Sequence, residues 1–142
     1  MIIRSTYLAP LFKRYGTVLD CLCKAISKDL NSFDAIAFRG ASGMMIAPMV
    51  AHTLKKDFIL VRKELSEEKR HSYYELEGKE TVSNYIIIDD GIDEGNTINK
   101  ILAAMKNRYR ASFCYKIFLY NQYGINTDFR KDNYKKIPIV YT

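Results

Sequence analysis

Between Tyr85 and Thr97 the chain reads YIIIDDGIDEGNT. Two adjacent carboxylates, Asp89 and Asp90, follow a run of four apolar or aromatic residues. Gly91 and Gly95 flank a short polar turn, and an apolar pattern of helical period opens near Thr97. The first turn of a helix leaves backbone N–H groups unpaired and carries positive partial charge, so it receives phosphate well. Gly95 lets the backbone approach an anion closely, and Thr97 adds a hydroxyl donor. Carboxylates are poor partners for phosphate but good acceptors for sugar hydroxyls, and they can hold a hydrated magnesium ion. The loop therefore suits a molecule with a phosphate at one end and a diol a few ångströms away, of which ribose 5-phosphate is an example. Two acids and two glycines after a strand also make an ordinary turn. The attachment to a buried-strand signal and a helix start favours the phosphosugar.

The elements that must position this loop are legible as alternating patterns. Val18, Leu22, Ala25, Ile26 and Leu30 share one face of a helix expected from Thr17 to Leu30. The run AIAF after Asp34 is short enough for a buried strand, and RGASG, from Arg39 to Gly43, reads as a tight loop. A helix should follow to about Leu54, with Pro48 in its first turn, where a missing N–H costs nothing. FILV, from Phe58 to Val61, is a second strand. The polar stretch from Arg62 to Ser83 is expected at the surface, as a lid or as a small antiparallel hairpin around Tyr73 to Leu76. Tyr85 to Ile88 is the strongest strand signal. A helix from Thr97 to Asn107 and strands at Phe113 to Tyr120 and Ile137 to Tyr141 complete the series. Such alternation predicts an α/β fold with a mainly parallel sheet and helices on both faces. Ligands of these sheets bind beyond the carboxyl ends of the strands. The loops after Phe38, Val61 and Ile88 should then meet at one edge.

Composition bounds the function class. A chain of 142 residues is one ordinary domain, long enough to bury a core without disulfides or metals. No apolar run approaches the ~18 residues of a membrane span, and Arg4, Lys13 and Arg14 interrupt any secretion-signal core, so no membrane partner and a cytoplasmic location are expected. Cys21, Cys23 and Cys114 lack metal-ligand spacing and are expected as free thiols. The net charge of +6 fits either nucleic acid or a small anion. The basic residues gather at Arg62 to Arg70 and Arg130 to Lys136 rather than along one helical face, which disfavours nucleic acid. Ser42 has no evident His or Asp to activate it, so a backbone role is expected.

The segment from Tyr85 to Thr97 resembles the phosphoribosyl pyrophosphate (PRPP) motif of type I phosphoribosyltransferases: an apolar strand, two acids, two apolar residues and a phosphate loop ending in G-x-T. It departs at Gly91, where the family carries a larger aliphatic residue, and at Glu94, where a small or hydroxyl residue faces the 5′-phosphate. RGASG resembles the family's pyrophosphate loop, and Val61 to Lys63 resembles the basic pair of orotate and adenine members. Glu64 to Gly78 stands in the place of the catalytic loop. The likeness covers residues 34–107.

The resemblance implies a Rossmann-like domain with a core at about 34–120 and a small hood from 1–16 and 121–136. It implies transfer of ribose 5-phosphate from PRPP to a nucleobase, with Mg²⁺ as cofactor and release of pyrophosphate. Asp89, Asp90, Asp93, Glu94, Gly95, Asn96 and Thr97 would bind PRPP, and Asp89 and Asp90 would also hold the metal. Arg39, Gly40, Ala41, Ser42, Gly43, Arg62, Lys63, Lys69, Arg70 and His71 would bind pyrophosphate. Asp93, Asp89 and Asp90 would be catalytic, Asp93 as acid or base at the purine. Its identity favours a 6-oxopurine, whereas the Arg62–Lys63 pair leans to orotate or adenine; as an alternative, Asp93 caps the helix. Arg62, Lys63 and His71 could equally be solvated charges. Tyr120, Tyr123, Phe129 and Tyr134 could stack on a base or simply pack. A homodimer is implied. The alternative is a non-catalytic regulator of the same fold that senses PRPP or a nucleotide and binds nucleic acid.

Overall fold

Apolar runs four to seven residues long, rich in Ile, Phe and Tyr, make the strands, because such side chains fill both faces of a buried sheet. In a computed structural model, which describes residues 9–63, 74–92, 95–120 and 136–142, these runs become β1 (Ala35–Arg39), β2 (Asp57–Val61), β4 (Asn84–Asp89) and β5 (Phe113–Leu119). Two short edge strands, β3 (Leu76–Glu77) and β6 (Ile139–Tyr141), complete a sheet of order β3-β2-β1-β4-β5-β6. All pairings are parallel except β2 with β3. Of the segment where a hairpin was one expectation, Leu76 lies in β3, antiparallel to β2 with Val61 opposite it, while Tyr73 lies outside the described residues.

The helices cover both faces. On one, Leu22 and Ile26 of α2 (Tyr15–Ile26) and Val50 and Ala51 of α4 (Ala47–Leu54) pack with Ile36, Phe38, Ile86 and Ile88. Leu11 of α1 (Ala9–Lys13) joins the same cluster. On the other, Ile98, Ile101, Ala104 and Met105 of α5 (Asn96–Arg108) pack with Ala35, Ala37, Ile87 and Ile117. Ile86, Ile87 and Ile88 are each fully buried, as the run of isoleucines requires.

Two expectations need correction. The helix predicted to run from Thr17 to Leu30 stops at Ile26 and tightens into a 3₁₀ segment, Ser27–Ser32. The Ser27 hydroxyl donates to the Lys24 carbonyl at 2.8 Å, and Asp29 leaves helical geometry at φ −120°, ψ 16°; local bonds of this kind compete with a continuing helix. RGASG is not a plain loop. Arg39 is extended at the end of β1, Gly40 turns the chain at φ +75°, and Gly40–Met44 winds into one helical turn, α3. Pro48 does lie in the first turn of α4.

At the opposite edge of the sheet, Lys56 staples the 3₁₀ segment. Its ammonium donates to the carbonyls of Leu30 (2.5 Å) and Phe33 (2.8 Å) and lies 4.7 Å from the centre of the Phe33 ring. Lys56→Met keeps the stem but strips these carbonyls of their donor. We expect a loss of about 1–2 kcal/mol, read as a lower urea midpoint at unchanged slope; an unmoved midpoint would show the staple to be idle. The free cysteines are as expected: Cys21 is exposed and Cys114 is buried.

Candidate PRPP-type site

The sheet reverses its direction of growth between β1 and β4. From β1 the chain moves outward through α3 and α4 to β2; from β4 it moves the other way through α5 to β5. Ligands of doubly wound sheets bind at such a switch point, because the loops there part to opposite faces and leave a crevice. Arg39 closes β1 and Asp89 closes β4, and the register Ala35↔Tyr85 and Ala37↔Ile87, continued by two residues, sets them level.

Asp89 is buried at the strand end. Its Oδ1 accepts the Asp90 N–H at 2.9 Å and the Ser42 hydroxyl at 3.3 Å. Burial, and then the neighbouring charge of Asp90, push its carboxyl up to about 8. Asp90 is also buried, with Oδ1 accepting the Gly91 N–H at 2.9 Å. Buried acids that remain so close are held for a purpose other than stability, since each costs desolvation. Among the described residues no group of three or more His, Cys, Asp or Glu side chains could cage a metal. Two carboxylates instead suit an ion such as Mg²⁺, which keeps waters and completes its shell on substrate oxygens.

The three loops expected at one edge do converge. Ser42 reaches Asp89, and Lys63 folds over Gly40: a Cβ at position 40 would lie 2.7 Å from Lys63 Cε. Gly40 thus serves both its positive φ and this close approach. Gly43 is needed against the core, where a Cβ would come within 2.8 Å of Phe38 Cβ. Among the described residues the buried Arg39 Nε has no partner, which leaves it a donor for an anion. Arg62, a candidate for pyrophosphate, also has a partner in the sheet. Its guanidinium pairs with Glu77 on β3, Nη2 at 2.9 Å and Nε at 3.2 Å from Oε1, so it braces the hairpin.

Gly95 is buried in the left-handed region at φ +78° and caps α5, with Asn96 and Thr97 as the first helical residues. Having no side chain, it offers no oxygen to the first-turn N–H groups, and their field faces the same edge. Asp93, Glu94, Lys69, Arg70 and His71 lie outside the described residues, as do Tyr123, Phe129 and Tyr134.

Sequence reasoning missed two partners. Ser42 was expected to lack an acid, yet its hydroxyl donates to Asp89; at 3.3 Å the bond is long and orients more than it activates. Tyr120, considered for base stacking, spends its hydroxyl on the Ser42 carbonyl at 2.6 Å. Partners so distant in the chain leave no local signal; the registers of β1 with β4 and of β4 with β5 bring them together.

No protein-family model matches the sequence, and no curated protein matches it either. Solved structures do. An orotate phosphoribosyltransferase from Aeropyrum pernix superposes with a TM-score of 0.67 over 91% of this chain and 70% of its own, at 18% identity. Adenine phosphoribosyltransferase from Saccharomyces cerevisiae, complexed with an imino-altritol bisphosphate and adenine, gives 0.67 over 93% and 82%, at 21% identity. The adenine enzyme of Thermoanaerobacter pseudethanolicus gives 0.66 over 92% and 79%, at 24% identity. By these likenesses the chain has the type I phosphoribosyltransferase fold.

Proposed function

We propose that this chain is a Mg²⁺-dependent phosphoribosyltransferase that moves ribose 5-phosphate from PRPP to a nucleobase and releases pyrophosphate. The observation that carries this reading is the meeting, at the switch point, of Asp89 and Asp90 with the Arg39–Gly43 turn. Acids on one strand end meet the ribose hydroxyls, and amides of the Gly95-capped helix meet the 5′-phosphate. Arg39 and Lys63 gather the pyrophosphate. Bound Mg²⁺, held by Asp89 and Asp90, would offset the negative charge of the leaving group. As the bond to pyrophosphate breaks, positive charge builds on the ribose ring, and the Asp90 carboxylate, joined by Asp89 where bound Mg²⁺ would displace its proton, favours that state over the ground state.

The acceptor we propose is a 6-oxopurine, on the identity of Asp93. The solved structures of like fold include adenine and orotate enzymes, so the test spans the alternatives. PRPP and Mg²⁺ are supplied with adenine, hypoxanthine, guanine, xanthine, uracil or orotate, and pyrophosphate release is read. We expect release with hypoxanthine, guanine or xanthine. Release with adenine or orotate alone would keep the reaction and reject the base. Silence with all six, alongside retained PRPP binding, would instead identify a PRPP-binding regulator. The reading also carries a homodimer in the cytoplasm, which sedimentation and fractionation would test.

A further inference from the structure

Tyr120 is the first residue after β5, and it is buried at 7% exposure among side chains of the α2 and α4 face. It bonds to both halves of the crevice. Its N–H donates to the Asp89 carbonyl at 3.2 Å, and its hydroxyl donates to the Ser42 carbonyl at 2.6 Å. The Ser42 hydroxyl in turn donates to Asp89 Oδ1. Three residues from three separate segments thereby close a ring: Tyr120 to Asp89 through the backbone, Ser42 to Asp89 through side chains, and Tyr120 back to Ser42.

The turn is built to leave that carbonyl to the tyrosine. In a continuing α-helix the Ile46 N–H would bond to Ser42; here it donates to Gly43 at 3.2 Å, while Met45 N–H donates to Ala41 at 3.0 Å. The Ser42 carbonyl points out of the local ladder, and a phenol from β5 meets it. Phenylalanine would fill the same space without making this bond. The bond is short, part-buried and joins the end of β5 to α3, so it restrains how far α3 can move from Asp89.

We propose that Tyr120 is a positioning residue that locks the Arg39–Gly43 turn against Asp89, so that the leaving-group site and the ribose site keep one fixed separation. The inference rests on the phosphoribosyl-transfer reading of the same crevice. It assigns Tyr120 to loop geometry and not to contact with the base. A fixed separation matters because both ends of PRPP must be gripped at once, and an ångström of slack between the two grips is costly in rate.

The test compares wild type, Tyr120→Phe, Ser42→Ala and the double variant. Affinity for pyrophosphate and for PRPP, each with Mg²⁺, is read by calorimetry; kcat and the KM of the base are read by turnover, and thermal midpoints by circular dichroism. We expect each single variant to bind pyrophosphate about tenfold more weakly, the size of one hydrogen bond, and to lose kcat while the KM of the base holds. The double variant should be no worse than the poorer single one, because both break the same ring. Additive losses would overturn the inference, as would a Tyr120→Phe variant that binds pyrophosphate like wild type. A fallen midpoint with equal losses for pyrophosphate and base would mean general loosening and would also overturn it. Should Tyr120→Phe fail to fold, Tyr120→Leu, which also lacks the hydroxyl donor, decides in its place, because Ser42→Ala keeps the carbonyl that the tyrosine bonds to and tests only the Asp89 side of the ring. A wild-type chain that binds neither PRPP nor pyrophosphate would bring down the reading of the site itself.

Discussion

Asp90→Asn lowers PRPP-dependent turnover, as kcat/KM, by roughly 100-fold, the typical effect of deleting one fixed group that faces developing charge. Asn keeps the shape of the side chain, and its Oδ1 can still accept the Gly91 N–H that Asp90 holds at 2.9 Å. The loop therefore keeps its course, and the loss reads out charge. In the proposed reaction a negative carboxylate would contribute most where positive charge builds on the ribose ring, and would contribute again by holding Mg²⁺. Hence we expect kcat to fall and the affinity for PRPP with Mg²⁺ to fall, with the thermal midpoint nearly unchanged. Equal kcat/KM in the two proteins would remove Asp90 from the site. The measurement is a steady-state assay with whichever base the screen selects, paired with a melting curve.

The second large effect concerns stability. Asp89→Asn should make the protein more stable than wild type at pH 8, by an amount on the order of a few kcal/mol. In the unfolded chain the Asp89 carboxyl loses its proton near pH 4. In the folded protein burial and the charge of Asp90 delay that loss to about pH 8. Between these limits the folded state holds more protons than the unfolded state, so wild-type stability declines as pH rises through the window and levels off above it. Below pH 4 both states carry the proton, and the variant gains nothing from this source. Asn has no charge to desolvate, and its carbonyl oxygen can keep the bonds from Asp90 N–H and Ser42. Urea titrations of both proteins without Mg²⁺, at pH 4 and pH 8, test this. Parallel dependence on pH would show that Asp89 is not held against its own titration. The variant should be inactive, so the same carboxyl that weakens the fold serves the reaction.

What the sequence shows of this fold depends on whether a signal is local. Isoleucines at 86, 87 and 88 announce a strand buried on both faces, because no other element hides three consecutive large apolar residues so completely. The helix after Thr97 follows from period alone, and its observed span, Asn96–Arg108, differs by one residue at each end. The end of α2 was misjudged, since Ala25, Ile26 and Leu30 preserve the helical period while Ser27 and Asp29 break the backbone. At the candidate site, Asp89, Asp90 and Gly95 stand in one short segment, so their shared position at the sheet edge is legible from it. The pairing of Arg62 with Glu77 leaves no sequence signal, because it lies across a strand pairing that sequence order does not show. The ring of Tyr120, Ser42 and Asp89 was missed for the same reason: its members meet only after β1, β4 and β5 are side by side.

That last arrangement has a kinetic consequence. β1 and β4 are neighbours in the middle of the sheet, yet the whole of α3, α4, β2 and β3 lies between them in the chain. Closing so long a loop is entropically costly and belongs late among folding events. Competence to bind therefore arrives only when the central strands have joined, and a truncated or nascent chain that ends before Asp89 holds half a crevice and grips nothing. Any ligand of this crevice would act as a sensor of completed folding, and by mass action would protect the finished protein from unfolding.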